Sequence, residues 1–281
     1  MSRRRRILAV VRRDITVLRG NRAVLVPLLV MSGLFVVLLP LAVGMLARLG
    51  DPTAAMSRAA TDTPDTDLSE LLNGVPDWVF ASLPGTPAAE LSAVLLGYLI
   101  PPLVLIVPLL FALVIATDAI VGERERGTLE GLLLAPLSDR ELVTAKLIGA
   151  LLPALTVGVC GSVVYAVITD VLLWPYLNGP LLPNATWLLV VLWVGPSMVT
   201  AALGLAVWVS ARVRTTQGAQ QISGLAVLPT VFLAMGQLSG LLFLSPGLLL
   251  AAGATLWCLA ILFVAAGSRS LARDRLSSRL G

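Results

Sequence analysis

Between positions 23 and 47 the chain runs for 25 residues without an ionisable side chain. Four more such runs follow, at 91–117, 147–169, 171–211 and 215–268, of 27, 23, 41 and 54 residues. A helix rises 1.5 Å per residue, so a hydrocarbon core ~30 Å thick asks for about 20 residues. The fourth run opens with Trp174, Pro175, Asn178, Gly179, Pro180, Pro183 and Asn184, which reads as a loop ahead of one span. The fifth is long enough for two spans joined at Ser245, Pro246 and Gly247. Six transmembrane helices are predicted, in an all-α integral membrane protein. Period-two alternation is absent and the runs are apolar on every side, which rejects a β-barrel. Composition agrees: 57% of residues are hydrophobic and 13% charged, against about 45–50% and 25% in soluble domains.

Several chemistries are excluded by what is missing. The 281 residues hold no histidine, so no Ser-His or Cys-His pair and no histidine metal site or proton relay can form. Lys146 is the sole lysine and no Gly-Lys-Ser/Thr follows it, so the chain carries no P-loop. Cys160 and Cys258 lie in separate apolar runs, which is neither a disulfide framework nor a metal cluster. The expectation is a chain that is not an enzyme and binds no cofactor or metal of its own.

Six spans put both termini on one side, and 18 of the 20 basic residues fall there. Only Arg48 and Arg58 lie opposite. Positive-inside bias therefore predicts a multi-pass plasma-membrane protein with both termini in the cytoplasm. The net charge of +4 suits anionic headgroups and calls for no nucleic-acid partner. A faint twin-arginine pattern near Ser2–Leu8 is broken by Arg12, Arg13 and Asp14, so no cleaved signal is expected. Residues 1–22 read instead as a cytoplasmic segment, with an amphipathic surface helix at 4–20 whose apolar face holds Ile7, Val11, Ile15 and Leu18. Residues 23–268 form the six-span domain and 269–281 a basic cytoplasmic tail.

The outer loop, 48–90, has seven acids and five prolines and too few apolar residues to bury a core. It reads as a connector or a substrate-gating lid, with a short helix at 68–72 and with Trp78, Val79 and Phe80 as an interfacial anchor. The inner loop, 118–146, differs in kind. Glu123, Arg124, Glu125 and Arg126 precede Gly127, Thr128, Leu129 and Glu130; then come Leu132, Leu133, Leu134 and Pro136. Arg126 and Glu130 are spaced to pair across one turn, and Ser138 with Glu141 makes a capping box that opens the next helix. The reading is a short amphipathic helix across the membrane surface, with a partnerless interfacial hairpin as the plain alternative. A second inner loop occupies 210–219.

The run from Gly122 to Glu130, GERERGTLE, with Pro136 and Lys146, resembles the inner loop of ABC transporter permeases of the second, exporter-like type. Length, six spans and the basic N-terminal helix are similar along almost the whole chain. The second inner loop and the residues just after it, with Gln217, Gln220 and Gln221, look like the branch that includes sodium-efflux permeases. The outer loop is much shorter than the outer domain some of that branch carry, which leaves the substrate unassigned. The resemblance implies a separate cytoplasmic ABC ATPase subunit carrying ATP and Mg. It also implies a homodimer or heterodimer of permeases, and a hairpin docked in the ATPase groove. On that view Glu123, Arg124, Glu125, Arg126 and Glu130 supply polar contacts, and Thr128 belongs to the same coupling set. Leu129, Leu132 and Leu133 insert, and Gly127 permits the sharp entry.

Two rivals come from other classes. Gly236, Ser239 and Gly240 could suggest a serine nucleophile, but nothing can activate it, and Gly-x-x-x-Gly spacing is better read as helix packing. An ion-coupled secondary transporter would hold ionisable groups at mid-membrane; here Asp118 and Asp170 stand at span ends, and mid-span polarity is limited to groups such as Ser197, Thr200, Gln237 and Ser239. A non-catalytic scaffold or sensor subunit stays open. Pro27, Pro40, Pro101, Pro102, Pro108, Pro153, Pro196 and Pro229 interrupt the spans and can free backbone carbonyls.

Overall fold

A computed structural model of the chain describes residues 11–13, 16, 20–48, 87–122, 125, 139–177, 179–210, 212–213, 215–238 and 246–270. Among them are helices and turns and no strand. Five helices are long and apolar enough to cross a bilayer. They are span one (Leu25–Met45), span three (Thr144–Leu173), span four (Ala185–Ser210), span five (Thr216–Gly236) and span six (Pro246–Gly267). Span two is a bent pair, Ala89–Leu99 and Pro101–Thr117, whose halves meet at 46°. Counting that pair as one crossing gives the six spans expected. Most of the surface helix expected at 4–20 lies outside the described residues; of those described, Val11 is buried, Arg12 and Arg13 are exposed, and the Thr16 hydroxyl donates to the Arg12 carbonyl. The outer-loop helix at 68–72, the aromatic anchor at 78–80 and the tail at 271–281 also lie outside.

Among the described residues, three spans contain a wide, π-helical turn within them, and each of these three ends two residues before a proline. Gly33–Leu38 precedes Pro40, Leu95–Leu99 precedes Pro101, and Val190–Val194 precedes Pro196. A proline ring collides with the carbonyl four residues back and cannot donate to it. Widening the turn moves that carbonyl aside, so that Leu39, Ile100 and Gly195 donate five residues back, to Leu34, Leu95 and Val190. Pro27 and Pro153 stand inside ordinary α-helix; a proline permits the bulge without forcing it.

Span two pays the most for its prolines. With Ile100 bonded to Leu95, continuing the register would assign the Leu96 carbonyl to residue 101 and the Gly97 carbonyl to residue 102. Both are proline. Those two carbonyls are taken up from outside the helix: the Tyr165 hydroxyl of span three donates to Leu96 at 2.7 Å, and the Asn184 amide donates to Gly97 at 3.2 Å.

Span four is the centre of the bundle, 61% buried where the other four single-helix spans are 17–28%. It lies along span six by way of glycine. A Cβ on Gly204 would sit 2.7 Å from the Val264 amide nitrogen, and one on Gly267 would meet Val207 at 2.9 Å. Trp193 lies over Gly253 and donates its indole N–H to the Leu250 carbonyl at 3.1 Å. Outward faces are apolar, as at Val30, Phe232 and Ile261, and suit lipid tails.

Candidate functional site

The charged loop enters from the end of span two, whose helix continues through a π-helical turn, Asp118–Gly122. On the other side the helix that becomes span three starts early, at Asp139–Leu173. Glu141 and Lys146 are buried at its beginning, 6% and 7% exposed, and both are engaged by partners, as charges taken from water must be. Ser138, the other half of the expected capping box, lies outside the described residues, as does the Arg126–Glu130 pair.

Of the residues expected to form the docking hairpin, Glu125 alone is described. Glu123, Arg124, Arg126, Gly127, Thr128, Leu129, Glu130, Leu132 and Leu133 lie outside the described residues. Glu125 is bound to the second inner loop. One carboxylate oxygen accepts the Thr216 amide at 2.8 Å and the other accepts the Thr216 hydroxyl. Thr216 is the first residue of the helix Thr216–Ser223, which opens span five.

That helix start is well provided for. Thr215 is its N-cap, in extended backbone, and its hydroxyl oxygen accepts the Gly218 amide at 3.2 Å. The first intrahelical bond runs from Ala219 to the Thr215 carbonyl. Glu125 thus serves the first orphan amide and Thr215 the third, and a carboxylate at this end also meets the positive pole of the helix. Beneath the polar cap lies a small apolar core. Val121 from the end of span two, Val209 from the end of span four and Ala219 from the start of span five are all buried, with Leu205, Trp208 and Val213 against them. The turn between spans four and five is closed by Arg212 and Val213 amides on the Val209 carbonyl. The Arg212 guanidinium lies 4.0 Å from the Trp208 ring and donates to the Trp208 carbonyl at 2.7 Å, a cation at the C-terminal pole of span four.

At the opposite end of the bundle, Asp170 is spent on structure. It accepts the Leu181 and Leu182 amides at 2.9 and 3.0 Å and so folds the loop between spans three and four. Three mid-span hydroxyls are likewise engaged within the bundle. Ser197 donates to the Val194 carbonyl, Thr200 to Pro196 and Thr230 to the Met198 sulfur. Gly236 stands half-buried near the end of the helix Leu228–Leu238, and its expected partner Gly240 lies outside the described residues. Close approaches between spans fall instead at Gly204, Gly253 and Gly267; the sequence signal for them is the position of Gly253 and Gly267 on one face of span six.

A family model described as ABC-2 family transporter protein matches residues 24–248. That stretch takes in both inner loops and all of spans one to five. No curated protein matches the chain.

Proposed function

The chain belongs to the ABC-2 transporter family and is a permease subunit, and from that premise we propose that it is an exporter driven by a separate cytoplasmic ABC ATPase. As a permease it is the multi-pass membrane subunit, and the nucleotide site belongs to the ATPase. The observation that carries the reading is that the family match, 24–248, contains the charged loop 118–146. ATP and Mg belong on the ATPase partner. Two permease chains, identical or different, pair with two ATPase subunits, because ABC ATPases act as pairs with two composite sites. Closure of that pair pushes the two hairpins together and switches the spans between two packed arrangements. Both termini face the cytoplasm on this reading, in keeping with the distribution of arginines.

The test is reconstitution. The permease is co-expressed with candidate cytoplasmic ABC ATPases from the same genome, and any complex that purifies is placed in nanodiscs. Permease-dependent stimulation of ATP turnover supports the proposal. Failure of the permease to co-purify with any of them would refute it.

A further inference from the structure

Glu125 of the first inner loop is bound to the first residue of the helix that opens span five, and this contact goes beyond docking. We propose that Glu125 is a positioning residue, the brace that fixes the coupling loop to the start of span five, so that a push on the hairpin moves spans two and five together. The inference rests on the functional reading above for the source of the push. Its geometry does not.

Four observations carry it. Both carboxylate oxygens of Glu125 are engaged by one residue, Thr216, through its amide and its hydroxyl. Such two-point, charge-assisted pairing fixes orientation as well as distance. The contact spans 91 positions of sequence, so it joins separate elements and is no local turn. Below it, Val121, Val209 and Ala219 pack the ends of spans two and four and the start of span five into one apolar cluster. Finally, the helix Thr216–Ser223 leads into span five without a loop, through the 3-10 turn Gly224–Val227 and the helix Leu228–Leu238. A displacement at Thr216 is therefore passed along the axis of that span. Glu125 is exposed, and its carboxylate is held on this chain's own helix.

The two roles predict different variants. Glu125→Ala should leave ATPase co-purification at wild-type level while permease-dependent stimulation of ATP turnover falls about tenfold, the factor expected for a charge-assisted hydrogen bond lost. Glu125→Gln keeps one acceptor for the Thr216 amide and should fall between. The direct readout is movement. With Cys160 and Cys258 replaced by serine, a spin label at Gln221, exposed at the start of span five, should shift on ATP–vanadate trapping in the otherwise wild-type complex. It should stay still in Glu125→Ala. Loss of ATPase binding in Glu125→Ala would make the residue a docking contact and overturn the proposal. A label that moves equally in both, or in neither, overturns it too. Failure of the functional reading is separable. The cysteine pair Glu125→Cys with Thr216→Cys in the isolated permease should cross-link in mild oxidant whether or not any ATPase binds, and absence of that cross-link removes the brace itself.

Discussion

The hydroxyl of Tyr165 donates across 2.7 Å to the carbonyl of Leu96, which the proline at position 101 leaves without a helical donor. Tyr165 has no exposed surface, so no water stands by to replace it. Tyr165→Phe removes the donor and little else. The expected loss is about 1–2 kcal/mol, since an unpaired buried carbonyl is costly but alternative partners exist within a membrane bundle. Pro101→Ala restores an amide at position 101. In that background Tyr165→Phe should cost about 1 kcal/mol less. Thermal unfolding midpoints of the four purified variants in detergent check this; equal losses in both backgrounds would show that the carbonyl is not what Tyr165 serves.

Asn184 holds two bonds at once. Its amide donates to the Gly97 carbonyl, and its side-chain oxygen accepts the Trp187 amide as the N-cap of span four. Asn184→Asp keeps the cap and loses the donor, whereas Asn184→Ala loses both. Stability should fall in that order, with the cap alone worth about 1 kcal/mol. An aspartate variant as unstable as the alanine one would assign the whole effect to the Gly97 bond.

At Gly204 the neighbour is backbone. A Cβ would lie 2.7 Å from the Val264 nitrogen and 2.8 Å from the Phe263 Cβ, and neither helix axis can yield without repacking the other. Gly204→Val should cost about 3 kcal/mol or prevent folding. Gly33→Ala meets nothing within 4 Å and should change stability by less than about 0.5 kcal/mol. Detergent size-exclusion after a heating series measures both. A stable Gly204→Val protein would deny that spans four and six touch there.

The spans were legible because charge is what a bilayer excludes, so the uncharged runs had to contain them. The helices at Ala185–Ser210 and Pro246–Gly267 fall where the loop residues ahead of them indicated. What the run at 91–117 could not reveal is that its helix breaks at Ile100 by 46°. The two prolines announced freed carbonyls, but the partners, Tyr165 and Asn184, lie on other spans and no local pattern points to them. Glu125 is the same case. Its charge was plain and its partner, Thr216, was 91 positions away. Gly236 and Gly240 make a local spacing pattern visible in sequence, whereas Gly204 meets span six at Val264, a pairing that depends on register between helices.

Orientation is tested by labelling. Single cysteines at Thr66, Ser138 and Ser277, in a background with Cys160 and Cys258 replaced, should divide by side. Thr66→Cys should react with an impermeant thiol reagent in intact cells, and the other two only after permeabilisation. The basis is the position of all but two basic residues on one side. Outside labelling of Ser138→Cys would reverse the topology and remove the hairpin from the ATPase's side.

The proposed docking of the hairpin is tested at Leu132. A short amphipathic helix pressed into a groove gains most of its affinity from a few buried apolar anchors, and truncating one commonly costs about 2 kcal/mol or more. A charge placed there costs further, because a carboxylate cannot be desolvated in an apolar groove without a partner. Leu132→Asp should therefore release the ATPase from the purified complex while the permease still inserts with the same labelling pattern. Arg124→Ala removes a rim charge, for which screening leaves about 1 kcal/mol or less. Its loss of affinity should be small, and the salt sensitivity of the complex should fall, since the attraction that salt screens is gone. Co-purification across a salt series reads both variants. If Leu132→Asp holds its ATPase as firmly as the wild type, Leu132 is no docking anchor, and the ATPase must engage this permease by another contact.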